Sequence, residues 1–129
     1  MNIYLDIDGV LITKNGQPSH GVKNFLEYIT SNHDVYWLST HCRGGESNVV
    51  GYLRDKLTIE CLEYIKKIKA TDWKTLKTEA IDFTKDFRWF DDHVMEAEKK
   101  VLLNNNKLNC LVLVTSDYLF SNFNTEVIL

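Results

Sequence analysis

Short apolar runs alternate with amphipathic stretches along the chain, and each apolar run ends at polar residues. Four apolar runs predict buried strands, at residues 2–7, 34–40, 87–90 and 110–114. Apolar positions at helical spacing predict helices, at residues 21–32, 46–57, 71–84 and 94–104. Residues 58–70 fit a helix, and a short strand near residues 58–62 fits as well. Residues 8–20 contain glycine, proline and serine, which predicts a loop or small flap.

Strands that alternate with helices predict an α/β fold with a mostly parallel sheet covered on both faces. The expected architecture is a three-layer α/β/α Rossmann-like sandwich. No internal repeat, linker or low-complexity segment interrupts the pattern, so residues 1–129 are expected to form a single domain. A chain of 129 residues is long enough to bury a substantial core.

Polar residues follow each of the four predicted strands. The clusters are Asp6 with Asp8, Ser39 with Thr40, Asp91 with Asp92, and Ser116 with Asp117. In parallel sheets, ligands bind near the carboxyl ends of the strands. The four clusters therefore predict a functional site at one edge of the sheet.

The first cluster joins two acids to a glycine at the end of a buried strand. Asp6 and Asp8 are separated by one residue and are followed directly by Gly9. Carboxylates at such a position repel one another and lose hydration, which favours a bound cation or a chemical role. Strand alternation would point the two side chains apart, so the backbone must turn at Asp8, and Gly9 permits that turn.

This first motif, Asp6-Ile-Asp8-Gly9-Val10, resembles the first motif of the haloacid dehalogenase-like (HAD) superfamily, whose members are mostly Mg²⁺-dependent phosphohydrolases. The later motifs of that superfamily also have counterparts in the expected order: Ser39 or Thr40 at a strand end, Lys74 or Lys77 on a helix, and Asp91-Asp92 after a strand. The resemblance implies a HAD-like phosphatase domain.

The resemblance implies distinct roles for the acids. Asp6 would attack phosphorus and form an aspartyl-phosphate. Asp8 would protonate the leaving oxygen and then deprotonate water. Mg²⁺ would be held by the Asp6 carboxylate, the Asp8 backbone carbonyl and an acid after the later strand. Asp92 is favoured as that ligand because it aligns with the acid of the usual Gly-Asp form, and Asp91 would lie behind it.

The resemblance also implies polar contacts to the phosphoryl group. Ser39 would bond a phosphoryl oxygen, with Thr40 as the alternative. Lys77 would neutralise the phosphoryl group and hold the nucleophile. Lys77 is favoured over Lys74 because Lys77-Thr-Glu-Ala80-Ile81 has the superfamily's usual spacing from lysine to alanine. Candidate substrate contacts around the site are Thr40, Gly9, His41 and Arg43.

Nearby histidine and cysteine residues allow two other interpretations. His41 and His93 flank the second and last motifs and suggest zinc, but they lack a tight ligand spacing. Cys42 is a possible nucleophile, but the sequence assigns it no general base.

The spacing of the motifs leaves no room for a large cap domain. Residues 9–38 hold one loop and one helix, and residues 41–76 hold about two helices. In the superfamily an open site accompanies macromolecular substrates or a cap supplied by another subunit. The strand end at Trp37-Leu-Ser39-Thr40 and the capless layout are also similar, more weakly, to domains of RNA-repair proteins. The expected substrate is therefore a phosphorylated macromolecule or nucleotide.

Composition limits the classes of partner. The formal net charge of −3 at pH 7 does not indicate a nucleic-acid binder. No segment approaches a membrane span. The three cysteines include no CxxC pair, which favours reduced thiols and a cytoplasmic location. Two other function classes stay open: a non-catalytic HAD-fold binding or regulatory module, and a phosphotransferase that uses the same aspartate.

Overall fold

A computed structural model describes residues 1–43 and 45–121. Within these ranges the strands are β1 (Asn2–Leu5), β2 (Asp34–Trp37), β3 (Phe87–Asp91) and β4 (Leu111–Leu113). The α-helices are α1 (Val22–Asn32), α2 (Glu46–Leu53), α3 (Ile59–Ile65) and α4 (Glu96–Asn104). Short 3₁₀ turns occur at Thr40–Cys42, Lys77–Ala80 and Leu108–Cys110.

The strands form one parallel sheet in the order β2-β1-β3-β4. Leu5 at the end of β1 lies opposite Trp37 of β2 and Phe90 of β3. All four residues of β1 are buried, so both faces of this central strand are covered. The predicted α/β fold is confirmed as a Rossmann-like arrangement of a parallel sheet and helices. Strands β1, β2 and β4 are shorter than predicted, and β3 is one residue longer.

The ambiguous segment 58–70 forms a helix and then joins the sheet edge. Helix α3 occupies most of the segment, so the alternative of a strand near residues 58–62 is wrong. Lys69 then pairs in parallel with Tyr36 of β2. Trp37 donates its backbone N–H to the Lys69 carbonyl at 2.7 Å. The segment at Lys69 therefore adds a single parallel bridge to the sheet, on the outer side of β2.

The predicted helix over residues 71–84 is wrong. Only Lys77–Ala80 is helical, as a single 3₁₀ turn. The Glu79 carboxylate accepts hydrogen bonds from the three backbone N–H groups of residues 74–76, at 2.7–3.2 Å. Side-chain bonds of this kind compete with helical ones, and the last of these residues is extended (φ −114°, ψ 138°). Residues 74–76 therefore form a loop that is held by the Glu79 carboxylate and leads directly into Lys77.

Aromatic packing extends the core into the segment after β4, for which the sequence shows no clear pattern. Phe120 is buried and stacks on Phe25 of α1 with ring centroids 4.0 Å apart. Phe90 of β3 packs edge-on against Phe25 at 5.1 Å. The rest of the segment after β4, residues 122–129, lies outside the described residues.

The three cysteines, Cys42, Cys61 and Cys110, are buried and free. Cys61 and Cys110 belong to the core as small apolar side chains. Among the described residues, no helix combines the length and apolar character needed to cross a membrane.

Candidate active site

Three acids from the ends of two neighbouring strands lie together at the carboxyl edge of the sheet. Asp6 follows β1, Asp91 ends β3, and Asp92 comes directly after it. The Asp6 backbone N–H donates to the Phe90 carbonyl at 3.0 Å, which continues the β1–β3 ladder to the level of the acids. One carboxylate oxygen of each acid lies within 4.8 Å of the others. We call Asp6, Asp91 and Asp92 the three-acid cluster.

Lys77 bridges two members of the three-acid cluster. Its Nζ lies 2.7 Å from Asp91 Oδ2 and 3.6 Å from Asp6 Oδ2. Burial lowers the pKa of Lys77, but the charges of Asp6 and Asp91 outweigh burial and raise it. Lys77 therefore stays a cation in this site. The other candidate lysine, Lys74, is exposed and contributes its backbone N–H to the Glu79 turn.

Two acids of the cluster, Asp91 and Asp92, resist ionisation. Burial raises the pKa of Asp91 to about 6, the charge of Asp6 adds to this, and Lys77 opposes it. Burial and the neighbouring Asp91 also raise the pKa of Asp92. Three carboxylates face one lysine, so negative charge is in excess. Their hard oxygen ligands and surplus charge fit a divalent cation of the Mg²⁺ type.

Gly9 allows the chain to turn against the three-acid cluster. After Asp6, the backbone N–H groups of residues 10–12 all donate to the Ile7 carbonyl, at 2.9–3.2 Å. Gly9 lies within this turn with φ 79°, a conformation that other residues rarely adopt. A Cβ at this position would overlap the carboxylate of Asp92. Glycine is therefore required both by the turn and by the close approach of Asp92.

Substituting alanine for Gly9 is expected to destabilise the fold by about 1–2 kcal/mol through the left-handed backbone conformation alone. If the three-acid cluster holds Mg²⁺, displacement of Asp92 should also weaken that binding. Chemical denaturation with and without Mg²⁺ measures both effects. Gly16→Ala is the matched control, since Gly16 has nearly the same φ (78°) but open space around it. If Mg²⁺ stabilises both variants equally, the close approach of Gly9 to Asp92 does not matter for binding of the ion, and this prediction is wrong.

Asp8 points away from the three-acid cluster and toward two aromatic side chains. Its Oδ2 lies 2.8 Å from His41 Nε2, and its Oδ1 accepts a hydrogen bond from the Tyr52 hydroxyl at 2.7 Å. Burial raises the pKa of Asp8, but these two contacts outweigh it, and the pKa is lowered. The same hydrogen bond raises the pKa of Tyr52 to about 12. Tyr52 therefore remains a hydrogen-bond donor.

The remaining predicted contacts lie in the turn after β2. Ser39 is buried, and its Oγ accepts the backbone N–H of His41 at 3.2 Å, which caps the 3₁₀ turn. Thr40 is exposed on that turn. The Arg43 guanidinium lies over the Trp73 ring, 4.8 Å from its centroid, and is exposed. The structure thus brings Asp6, Asp91, Asp92 and Lys77 into contact, and it joins His41 to Asp8; Ser39, Thr40 and Arg43 make no direct contact with the three-acid cluster among the described residues.

Sequence reasoning missed Glu98 and Tyr52. Glu98 is buried on α4 and accepts backbone N–H groups from Met95 at 3.1 Å and Lys77 at 2.7 Å. A glutamate in the first helical turn is a known capping signal, so the Met95 contact could have been expected. Its bond to Lys77 joins residues far apart in the chain and leaves no local signal. Tyr52 likewise has no motif around it.

The alternative zinc and thiol interpretations receive no structural support. Within the described residues, the three-acid cluster is the group of three or more metal-ligating side chains, and neither His41 nor His93 belongs to it. Cys42 is buried, with Sγ 3.0 Å from the Ser39 carbonyl and 3.4 Å from the Thr71 carbonyl. Its Sγ therefore packs against backbone carbonyls inside the protein, where a substrate cannot reach it.

Two of the acids in the site, Asp8 and Asp92, are accessible to a ligand. The Asp8 side chain is 58% exposed, and Asp92 is also exposed. Between β1 and α1 the chain makes only the turn at Gly9 and a small loop in which Ile12 pairs with Pro18.

No matches were found when the chain was compared with protein-family models, curated proteins and solved structures.

Proposed function

We propose that this protein is a Mg²⁺-dependent phosphomonoester phosphatase of the HAD-like type, with Asp6 as its nucleophile. The observation that carries the proposal is the contact of Lys77 with both Asp6 and Asp91 inside the three-acid cluster. A lysine beside a strand-end aspartate can offset the charge of a phosphate that approaches the carboxylate. The resemblance of the first motif to the HAD superfamily points to the same chemistry.

Asp6 and Asp92 are the best candidates to hold Mg²⁺ through their carboxylates, with the Asp8 carbonyl as a further ligand. Asp91 is a weaker candidate for a metal ligand, because both of its oxygens already have partners. Its Oδ2 faces Lys77, and its Oδ1 accepts the His93 backbone N–H at 3.1 Å. When bound, the ion would offset charge on the phosphoryl group and on Asp6.

The residues divide a two-step reaction between them. Asp8, whose side chain is 58% exposed, first takes a proton from solvent. An Asp6 oxygen then bonds to phosphorus while the ester P–O bond breaks, and the leaving oxygen takes that proton from Asp8. Asp8 then takes a proton from water, whose oxygen bonds to phosphorus and releases phosphate from Asp6. Throughout both steps Lys77 stays charged and offsets the negative charge near Asp6.

The proposed substrate is a phosphorylated macromolecule or nucleotide. The exposure of Asp8 and Asp92 supports an open site. The segments that follow β1 and β2 support it too, because they hold the small loop with α1 and the helices α2 and α3, with no inserted domain in the described parts.

Hydrolysis of p-nitrophenyl phosphate tests the proposal. We expect Mg²⁺-dependent turnover that EDTA removes and Mg²⁺ restores. Acid-quenched protein incubated with ³²P-labelled substrate should retain label that hydroxylamine releases, as an acyl phosphate does. Turnover that is insensitive to EDTA would contradict the proposal. Release of p-nitrophenol only when an acceptor alcohol is supplied, with the phosphoryl group recovered on that alcohol, would favour the phosphotransferase. Absence of all turnover on phosphorylated proteins, nucleotides and oligonucleotides would favour the non-catalytic module.

A further inference from the structure

We infer that His41 and Tyr52 are positioning residues that hold the Asp8 carboxylate outside the three-acid cluster and reserve it for proton transfer to the leaving group. The inference rests on the proposed function, in which Asp8 is the acid and base. No motif in the sequence assigns this role to Tyr52.

Both oxygens of the Asp8 carboxylate are held from one side. The Tyr52 hydroxyl donates to Oδ1 at 2.7 Å, and His41 Nε2 lies 2.8 Å from Oδ2. An ionised carboxylate only accepts, so Nε2 carries a proton in this contact. Two short contacts to two oxygens fix both the direction and the rotation of the carboxylate.

The two rings that hold Asp8 also hold each other. His41 and Tyr52 are stacked, with centroids 3.9 Å apart and an interplanar angle of 16°. The outer side of Tyr52 is covered by Lys56, whose Nζ lies 4.2 Å from the ring centroid and donates to the Tyr52 carbonyl at 3.2 Å. His41 is held in turn through its backbone N–H to Ser39 Oγ. The pair is therefore a rigid support built from the 3₁₀ turn after β2 and helix α2.

Asp8 needs such a support because its surroundings favour another role. It lies two positions from Asp6, next to Gly9, and its side chain is largely exposed. A cation held by the three-acid cluster would attract a fourth free carboxylate. A carboxylate bound to the cation could not carry a proton to the leaving oxygen. His41 and Tyr52 keep the Asp8 carboxylate away from the group of side chains that could hold a metal ion, which among the described residues consists of the other three acids.

Leaving-group dependence tests the inference. p-Nitrophenolate departs with little protonation, whereas phenolate and alkoxide leaving groups need more help from an acid. For Tyr52→Phe we expect kcat/KM on phenyl phosphate to fall about tenfold or more, with a change of less than about threefold on p-nitrophenyl phosphate. The comparison uses kcat/KM because it includes only the steps through departure of the leaving group, whereas kcat also includes hydrolysis of the aspartyl-phosphate, which is common to both substrates. His41→Ala should have the same effect as Tyr52→Phe. His41→Gln should recover part of the loss, because its amide can donate a hydrogen bond to Asp8. Asp8→Asn should give the largest difference between the two substrates.

Tyr64→Phe is the matched control, because Tyr64 lies on α3 and its hydroxyl bonds to none of the described site residues. It should leave both rates unchanged. Equal losses on the two substrates in Tyr52→Phe and His41→Ala would overturn the inference, since a general structural role acts on both alike. Unchanged rates on both would overturn it as well. If the wild type lacks Mg²⁺-dependent turnover of either ester, the proposed function itself fails, which is a distinguishable result.

Discussion

Replacing Asp6 with asparagine is expected to lower kcat for p-nitrophenyl phosphate by about 10³-fold or more, because the amide removes the attacking oxygen charge. The change preserves the shape of the side chain at the end of β1. Steady-state rates in saturating Mg²⁺ measure the loss. Turnover close to that of the wild type would contradict the assignment of Asp6 as nucleophile.

The same variant is expected to remain folded. Asp6 raises the pKa of its neighbour Asp91, so the acids repel one another, and the substitution removes that repulsion. The shorter Lys77–Asp91 contact at 2.7 Å remains. Urea denaturation in EDTA should therefore show a free energy of unfolding within about 1 kcal/mol of the wild type. Asp34→Asn is the control, since Asp34 begins β2 at the opposite edge of the sheet, and both its activity and its stability should match the wild type.

Replacing Lys77 with methionine is expected to damage both catalysis and stability. Methionine keeps much of the apolar stem but removes the cation from two carboxylates. Asp91 is buried, with 1% of its side chain exposed, and loses its partner. Breaking a buried ion pair on one side costs about 3 kcal/mol or more. We expect that loss of unfolding free energy in EDTA near pH 8, and a fall in kcat of about 10²-fold or more in Mg²⁺.

The stability loss should depend on pH in a defined direction. Lys77 lowers the pKa of Asp91, so its removal raises that pKa above about 6. A carboxyl with a higher pKa in the folded than in the unfolded state destabilises the fold once the pH exceeds its unfolded value, and the full loss is reached above the folded value. Near pH 5 Asp91 is mostly protonated in both proteins, so their difference should be small. It should grow through about pH 6 to 8. If the difference in unfolding free energy between the wild type and Lys77→Met shrinks as the pH rises, the proposed effect of Lys77 on the pKa of Asp91 is contradicted.

Lys74→Met is the matched control for Lys77→Met. Lys74 is exposed, and its contact with Glu79 uses the backbone N–H, which the substitution keeps. Both rate and stability should stay near those of the wild type. If Lys74→Met instead loses the activity and Lys77→Met does not, the choice between the two lysines is wrong.

The sequence predicted the strands well because their signal is local. The buried runs before Asp6 and Asp91 are apolar and end at acids, and in a parallel sheet such ends fall at one edge. The meeting of Asp6 with Asp91 could therefore be expected before any coordinates. The helix over residues 71–84 failed because apolar spacing does not register a glutamate that captures three backbone N–H groups.

The supports of the site could not be predicted because they join distant segments. Glu98 is ordinary as a helix residue, and only the fold brings it to the Lys77 backbone. Tyr52 has the spacing of any amphipathic helix, and only the turn after β2 places His41 against it. Local pattern thus predicts the residues that carry charge at strand ends, whereas the residues that orient them depend on tertiary packing.

The central place of β1 in the sheet has a consequence for the order of folding. During synthesis β1 emerges before the other three strands and can pair early with β2 after α1. Its other neighbour, β3, follows only after α2, α3 and the Lys77 loop. Pairing of Asn2 with Phe87 closes a long loop, which makes this contact slow to form. Until then one edge of β1 is unpaired and open to association with another chain. Chains interrupted before Phe87 should consequently aggregate more readily than the full chain.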